Sequence, residues 1–207
     1  MLKIIRSLHE DTAKAYQCLQ ALRLVTAILI SILLVQSGFT KAEIGQYEWF
    51  LFLTSALSFF WSMGLVNALK SYVPNKSTQD KRAIIFNVSA LMVCCAAIVS
   101  INLFFLDGLM GYEVHEFLPY LCLYILFAIS SVVSEHILIL DGDSSMLFTY
   151  GVISYALLLL LTGGTIFLAP SIGNILIAVT VWAFCRFLFM LSLIVKNSYY
   201  KLSPSLL

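Results

Sequence analysis

The chain has 207 residues, 61% of them hydrophobic and 11% charged, with a formal net charge of +1. Soluble domains carry about 25% charged residues, so these proportions exclude that class. The basic residues are spread along the chain rather than gathered on a face, so the charge gives no sign of a nucleic-acid partner and none is expected. Cys18, Cys94, Cys95, Cys122 and Cys185 fall in or beside apolar runs without C-x-x-C or His-paired spacing, so they read as small packing residues and not as metal ligands.

Residues 1–21 are predicted as a leader at the cytoplasmic face. Lys3, Arg6 and Lys14, with Arg23 just beyond, alternate with Leu2, Ile5, Leu8 and Tyr16 at roughly helical spacing. That pattern suits an amphipathic helix on the membrane surface or, equally, a basic solvated leader. Val35-Gln36-Ser37 loosely suits a signal-peptide cleavage site. The residues before it include Glu10 and Asp11 and are too long and mixed for such a leader, so the first apolar run is kept as a span.

Six spans follow, over residues 22–37, 46–73, 83–106, 117–140, 146–168 and 175–195, with a tail at 196–207. The second is the clearest. From Trp49 to Leu69 there are 21 residues without a charge, enough to cross a hydrocarbon core of about 30 Å. Gly45 is predicted to mark the turn before it, and Gly64 a flexible or closely packed point within it. The fold class is therefore an all-α integral membrane protein, a bundle of six transmembrane helices with an N-terminal amphipathic helix.

Lys and Arg placement gives the orientation. Lys3, Arg6, Lys14, Arg23, Lys70, Lys76, Lys81, Arg82, Lys196 and Lys201 fall on one side, ten of the twelve basic residues. Lys41 falls on the other, and Arg186 lies within a span. The positive-inside rule then makes both termini cytoplasmic.

Ionisable residues inside a span point to function by default. Arg186 lies about 15 Å along the helix axis from Lys196, and Glu135 about 9 Å from Asp141, with His136 beside it. Two alternatives fit Glu135 and Arg186. One is a structural ion pair between helices. The other is a water-filled cavity where Arg23 and Arg186 attract an anionic substrate and Glu135 or His136 takes up a coupling ion or proton. Tyr124, Ala128, Ser131 and Glu135 would share one helical face. Asn67, Asn87 and Asn102 suit interhelical hydrogen bonds, with Asn67, Asn87 and Tyr124 as candidate cavity-lining groups. Thr54, Ser58 and Ser62 form a small-residue seam that implies close helix packing. Neither a nucleotide-binding P-loop, H-E-x-x-H nor G-x-S-x-G is present, and no cofactor, metal or enzymatic activity is expected.

The first span, the turn at Ile44-Gly45-Gln46-Tyr47, the long second span and Gly64-Leu65-Val66-Asn67-Ala68 with its basic exit resemble the start of polysaccharide (Wzx-type) flippases. These belong to the multidrug/oligosaccharidyl-lipid/polysaccharide exporter superfamily. Glu135–Leu140 with Asp141–Ser144, Leu147–Tyr155, and Trp182 with Arg186 are similar in the same order. The resemblance implies one six-helix lobe of a two-lobe flippase in a bacterial inner membrane. Its substrate would be a polyprenyl-pyrophosphate-linked oligosaccharide, carried to the outer leaflet for O-antigen or capsule assembly. Cavity cations would meet the pyrophosphate, which suits Arg23 and Arg186. Membrane lipids and a second lobe, from a downstream segment, a partner chain or a second copy, would be the other partners. The alternatives are a cation-coupled small-molecule exporter of the multidrug branch and a non-transporting membrane scaffold.

Overall fold

Helices in this chain stop where a polar side chain or a left-handed glycine satisfies the backbone groups left open at a helix end. The computed structural model describes residues 11–74, 76–105 and 117–196. Among them are six helices: α1 (Thr12–Gln36), α2 (Lys41–Tyr72), α3 (Thr78–Phe105), α4 (Leu118–Leu140), α5 (Ser144–Leu168) and α6 (Ile172–Lys196). All six are long and apolar enough to cross a membrane.

Asp11 starts α1, its carboxylate accepting from the Ala13 and Lys14 amides at 2.9 and 3.3 Å. Thr40 and Glu43 start α2 as a reciprocal capping box, with Thr40 N donating to Glu43 Oε2 at 2.9 Å and Glu43 N to Thr40 Oγ1 at 3.3 Å. Ser77, Asp143 and Ser171 accept from the amides of Asp80, Met146 and Asn174 at the starts of α3, α5 and α6. α4 has no such side chain and begins with Pro119 in its first turn, where a missing N–H costs nothing.

Two helix ends turn on glycine. Gly38 (φ +80°) and Gly142 (φ +71°) follow α1 and α4. Around each the backbone makes the paired bonds of a Schellman motif: Phe39 N to Leu34 O with Gly38 N to Val35 O, and Asp143 N to Leu138 O with Gly142 N to Ile139 O. Gly38 is thus the turn residue. Gly45 lies inside α2, and a Cβ at Gly45 or Gly64 would meet nothing within 4 Å, so neither marks a turn or a close approach.

α1 begins at Thr12, so residues 12–21 of the expected leader continue into the first apolar run as one helix. A helix runs until it meets a cap, not until its hydropathy falls. Residues 1–10 of the leader, 106–116 of the acidic link and 197–207 of the tail lie outside the described residues.

The chain divides into two units. One comprises Met1–Trp49 and Leu138–Trp182, and the other Phe50–Ile137 and Ala183–Leu207. Within the first unit α1 and α5 run side by side. Leu19 lies against Gly151, Arg23 bonds to Tyr155, and Leu33 approaches Gly163. Partners separated by a nearly constant number of residues mean that the two helices are parallel. Glycine permits the approach, since a Cβ at Gly151 would sit 3.3 Å from Leu19 Cδ1. The core there includes Leu19, Ile30, Leu34, Leu147 and Ile175.

In the second unit Phe50 of α2 is fully buried between the rings of Phe117 and Tyr124, with centroids at 6.4 and 5.1 Å. α3 and α4 exchange two contacts: Ser100 Oγ donates to Cys122 O at 2.9 Å, and Cys122 Sγ to Ser100 O at 3.4 Å. Thr54 and Ser58 are buried, and their hydroxyls fold back on the carbonyls of Phe50 and Thr54. That leaves a narrow surface without free polar groups on α2, as a packing seam requires. The outward surfaces are as apolar as the core: Phe60 is 84% exposed, Phe105 81% and, in the first unit, Leu168 87%. Water does not tolerate so much apolar surface, and a bilayer does. The chain is built as a multi-pass membrane protein.

Candidate functional site

α4 is not a uniform helix. Its turn Ile125–Ile129 is a π-helix, flanked by α-helical Leu118–Tyr124 and Ser130–Leu140. A π turn accommodates one extra residue and rotates everything after it by roughly 100° relative to an uninterrupted α-helix. Tyr124 and Glu135 therefore do not share a face, contrary to the even spacing read from the sequence. Tyr124 meets Phe50 of α2. From the π turn onward α4 addresses α6: Phe127, within the turn, packs on Phe184 and Phe187 at 5.0 and 5.4 Å, and Glu135, after it, reaches Arg186.

The Glu135–Arg186 contact is a buried ion pair. Arg186 Nη2 donates to Glu135 Oε1 at 2.6 Å, and the two side chains are 2% and 7% exposed for Glu135 and Arg186 respectively. The distance is that of a charge-assisted bond. Of the two alternatives for these residues, the ion pair is the arrangement present. His136, also buried, follows Glu135 on α4. Ser130, Ser131 and Ser134 are fully buried on the turns leading to Glu135. Ser131 Oγ donates to Ala128 O and Ser134 Oγ to Ser131 O, both at 2.7 Å. Ala128 belongs to the π turn, so a serine hydroxyl serves one of the carbonyls that the turn displaces.

The first unit holds a second polar cluster, built on α1, α5 and the first half of α6. Arg23 is exposed on α1, and its Nε donates to Tyr155 Oη at 2.7 Å. Tyr155 is buried, with the Trp182 ring 6.0 Å away. Trp182 Nε1 donates to Ser154 O at 2.8 Å and to Ser154 Oγ at 3.2 Å. Arg23 stands about 16 Å along the axis from the start of α1 and about 20 Å from its end. It directly precedes the uncharged run Leu24–Val35 of the same helix.

The neutral candidates separate. Asn87 is buried on α3, whereas Asn67 is exposed on α2. Asn102 is exposed too and bonds its own helix, Nδ2 donating to Ile98 O at 2.7 Å, so its expected interhelical bond is absent. Sequence reasoning singled out Arg23, Glu135 and Arg186 but gave Tyr155 and Ser154 no role of their own. The polar atom of Tyr155 was hidden by its apolar ring, and only an adjacent α1 gives it meaning. A depression of about 510 Å³ between α5 and α6, bordered by Leu160, Gly164, Leu168 and Ile177, is nearly all apolar. It gathers no chemistry. Among the described residues no three His, Cys, Asp or Glu side chains come together as a metal site. No family model, curated protein or solved structure matches the chain.

Proposed function

We propose that the chain is one six-helix lobe of a bacterial inner-membrane transporter, with both termini cytoplasmic. It would help carry a polyprenyl-pyrophosphate-linked oligosaccharide from the cytoplasmic to the outer leaflet for surface polysaccharide assembly. The observation that supports an anionic substrate is Arg23, an exposed arginine at the start of the apolar run of α1, whose Nε donates to a buried tyrosine. The glycan and its prenyl carrier follow from the sequence resemblance to Wzx-type flippases. Arg186 has a different task, because its charge is engaged by Glu135. It is assigned to holding α4 and α6 together.

Complementation tests the assignment. Cells lacking surface-glycan export receive the chain together with a candidate second lobe. Restored surface glycan is expected with wild-type chain and not with Arg23→Ala. Absence of rescue by any second lobe, including a second copy, would sink it. Glu135 and His136, both buried on α4, favour cation coupling as the second possibility. In that case Glu135→Gln abolishes cation-coupled export of small molecules while Arg23→Ala leaves it intact.

A further inference from the structure

The connection from α2 to α3, within the second unit, gathers charge of one sign. Lys70, Lys76, Lys81 and Arg82 all lie between positions 70 and 82. Lys70, Lys76 and Arg82 are exposed, and Lys81 is half-buried. Backbone bonds keep the connection tight, Val73 N donating to Leu69 O at 3.1 Å and Lys76 N to Val73 O at 3.2 Å. Asp80 is the one carboxylate in that segment, and it is committed to the start of its own helix. Ser77 Oγ donates to Asp80 Oδ2 at 2.8 Å and accepts from Asp80 N at 3.2 Å. Among the described residues no ion pair involves any of the four cations. Their attraction for an anion is not met inside the chain.

The surface beside these charges favours a lipid over a free anion. Met63 and Phe59 precede Lys70 on α2, and at 100° per residue both fall within about 20° of it on the helix face. They are 52% and 54% exposed. Phe59 stands about 16 Å along the axis from Lys70, close to half of a hydrocarbon core of roughly 30 Å. Tyr72, also exposed, places an amphipathic ring at the boundary. Cations thus cap an exposed apolar strip one leaflet deep, which a soluble anion would leave unused. We propose that the α2–α3 connection is a binding site for an anionic phospholipid. Its phosphate meets Lys70, Lys76, Lys81 and Arg82, and an acyl chain lies along Met63 and Phe59. The site does not depend on the transport assignment.

The full chain is reconstituted in vesicles of phosphatidylcholine and phosphatidylglycerol, with Phe59→Trp as reporter in a Trp49→Phe, Trp61→Phe, Trp182→Phe background. Quenching by brominated acyl chains carried on one headgroup or the other gives their relative affinity. Phosphatidylglycerol is expected to be preferred about fivefold or more, the factor that one Lys or Arg contributes near an anionic surface. The preference should shrink in about 1 M salt, where screening acts within about 3 Å. Lys70→Gln, Lys76→Gln, Lys81→Gln and Arg82→Gln together should bring it to parity. Arg82→Lys should keep it, as should Lys41→Gln at the opposite end of α2. A second measurement uses the chain with its own tryptophans and Phe59. In detergent, phosphatidylglycerol should raise its unfolding temperature about 2–4 °C more than phosphatidylcholine does, and the fourfold substitution should remove that difference.

Equal affinity for the two headgroups with the connection unsubstituted overturns the site. So does a preference, or a rise in unfolding temperature, that survives the fourfold substitution. A loss of preference in Lys41→Gln as large as in the fourfold variant also overturns it, since charge anywhere on the chain would then serve. Glycerol phosphate is expected to leave the quenching unchanged at millimolar concentration. Displacement of the brominated lipid by it would make the ligand a free anion and overturn the lipid site.

Discussion

Two arginines on membrane-spanning helices have been accommodated in opposite ways. In the second unit Arg186 is buried and faces a carboxylate, with Glu135 Oε1 at 2.6 Å. In the first unit Arg23 is exposed, and its Nε bond goes to the neutral phenol of Tyr155 at 2.7 Å. The first arrangement neutralises a charge and ties two helices. In the second the phenol of Tyr155 contributes position rather than charge. Side-chain type alone says little about function here; the partner's charge and the exposure decide it.

The comparison breaks most severely at Glu135. Glu135→Leu would take the carboxylate away from a buried guanidinium and is expected to cost about 3–5 kcal/mol, read as a fall in thermal unfolding temperature in detergent. Glu135→Leu with Arg186→Leu should recover most of that loss. A single variant no worse than the double would show that the two charges do not depend on each other.

The next largest effect concerns the seam that seats Arg23. Gly151→Val pushes a branched side chain into Leu19, where even a Cβ would lie 3.3 Å from Cδ1, and should cost about 1–3 kcal/mol. Gly164→Ala, where a Cβ meets nothing within 4 Å, is the matched control and should leave the unfolding temperature nearly unchanged. Trp182→Phe removes the indole donor to Ser154 and keeps an aromatic ring. About 1 kcal/mol is expected, together with a changed near-ultraviolet dichroism from Tyr155.

The smallest effect sits at the entrance to α1. The Lys14 amide, above all, holds the Asp11 carboxyl below its ordinary 3.8; desolvation, next in size, opposes it, and the Lys14 ammonium and the Ala13 amide add to the lowering. A depressed folded value means that the cap's contribution is complete above 3.8 and is lost as pH falls through the lower folded value. Amide exchange at Ala13 and Lys14, referred to Asp11→Asn at each pH, should rise across that acid range and stay level above it.

Hydropathy made the six helices legible, because a bilayer demands about 20 apolar residues per crossing whatever their order. Caps were partly legible: Thr40-x-x-Glu43 is a capping box in plain sequence, whereas Gly45 drew attention that belonged to Gly38. The ion pair was visible as two residues and two alternatives, since sequence spacing cannot say which helices are neighbours. The π turn left no trace. Ile125–Ile129 holds no proline or glycine, and a constant 100° per residue carried Tyr124 onto the wrong face. Tyr155 was missed for a related reason, its partner lying 132 residues away.

That separation also has a consequence in time. Ribosomes add about 5–20 residues per second, so the 132 residues from Arg23 to Tyr155 take roughly 7–26 s to make. Throughout that interval α1 exists without α5. Its entry into the bilayer must be driven without α5, by the apolar run that begins at Leu24, carrying an arginine whose tyrosine has not yet been synthesised. Substitutions that weaken that apolar run should therefore lower the yield of inserted protein more than the stability of chains already assembled.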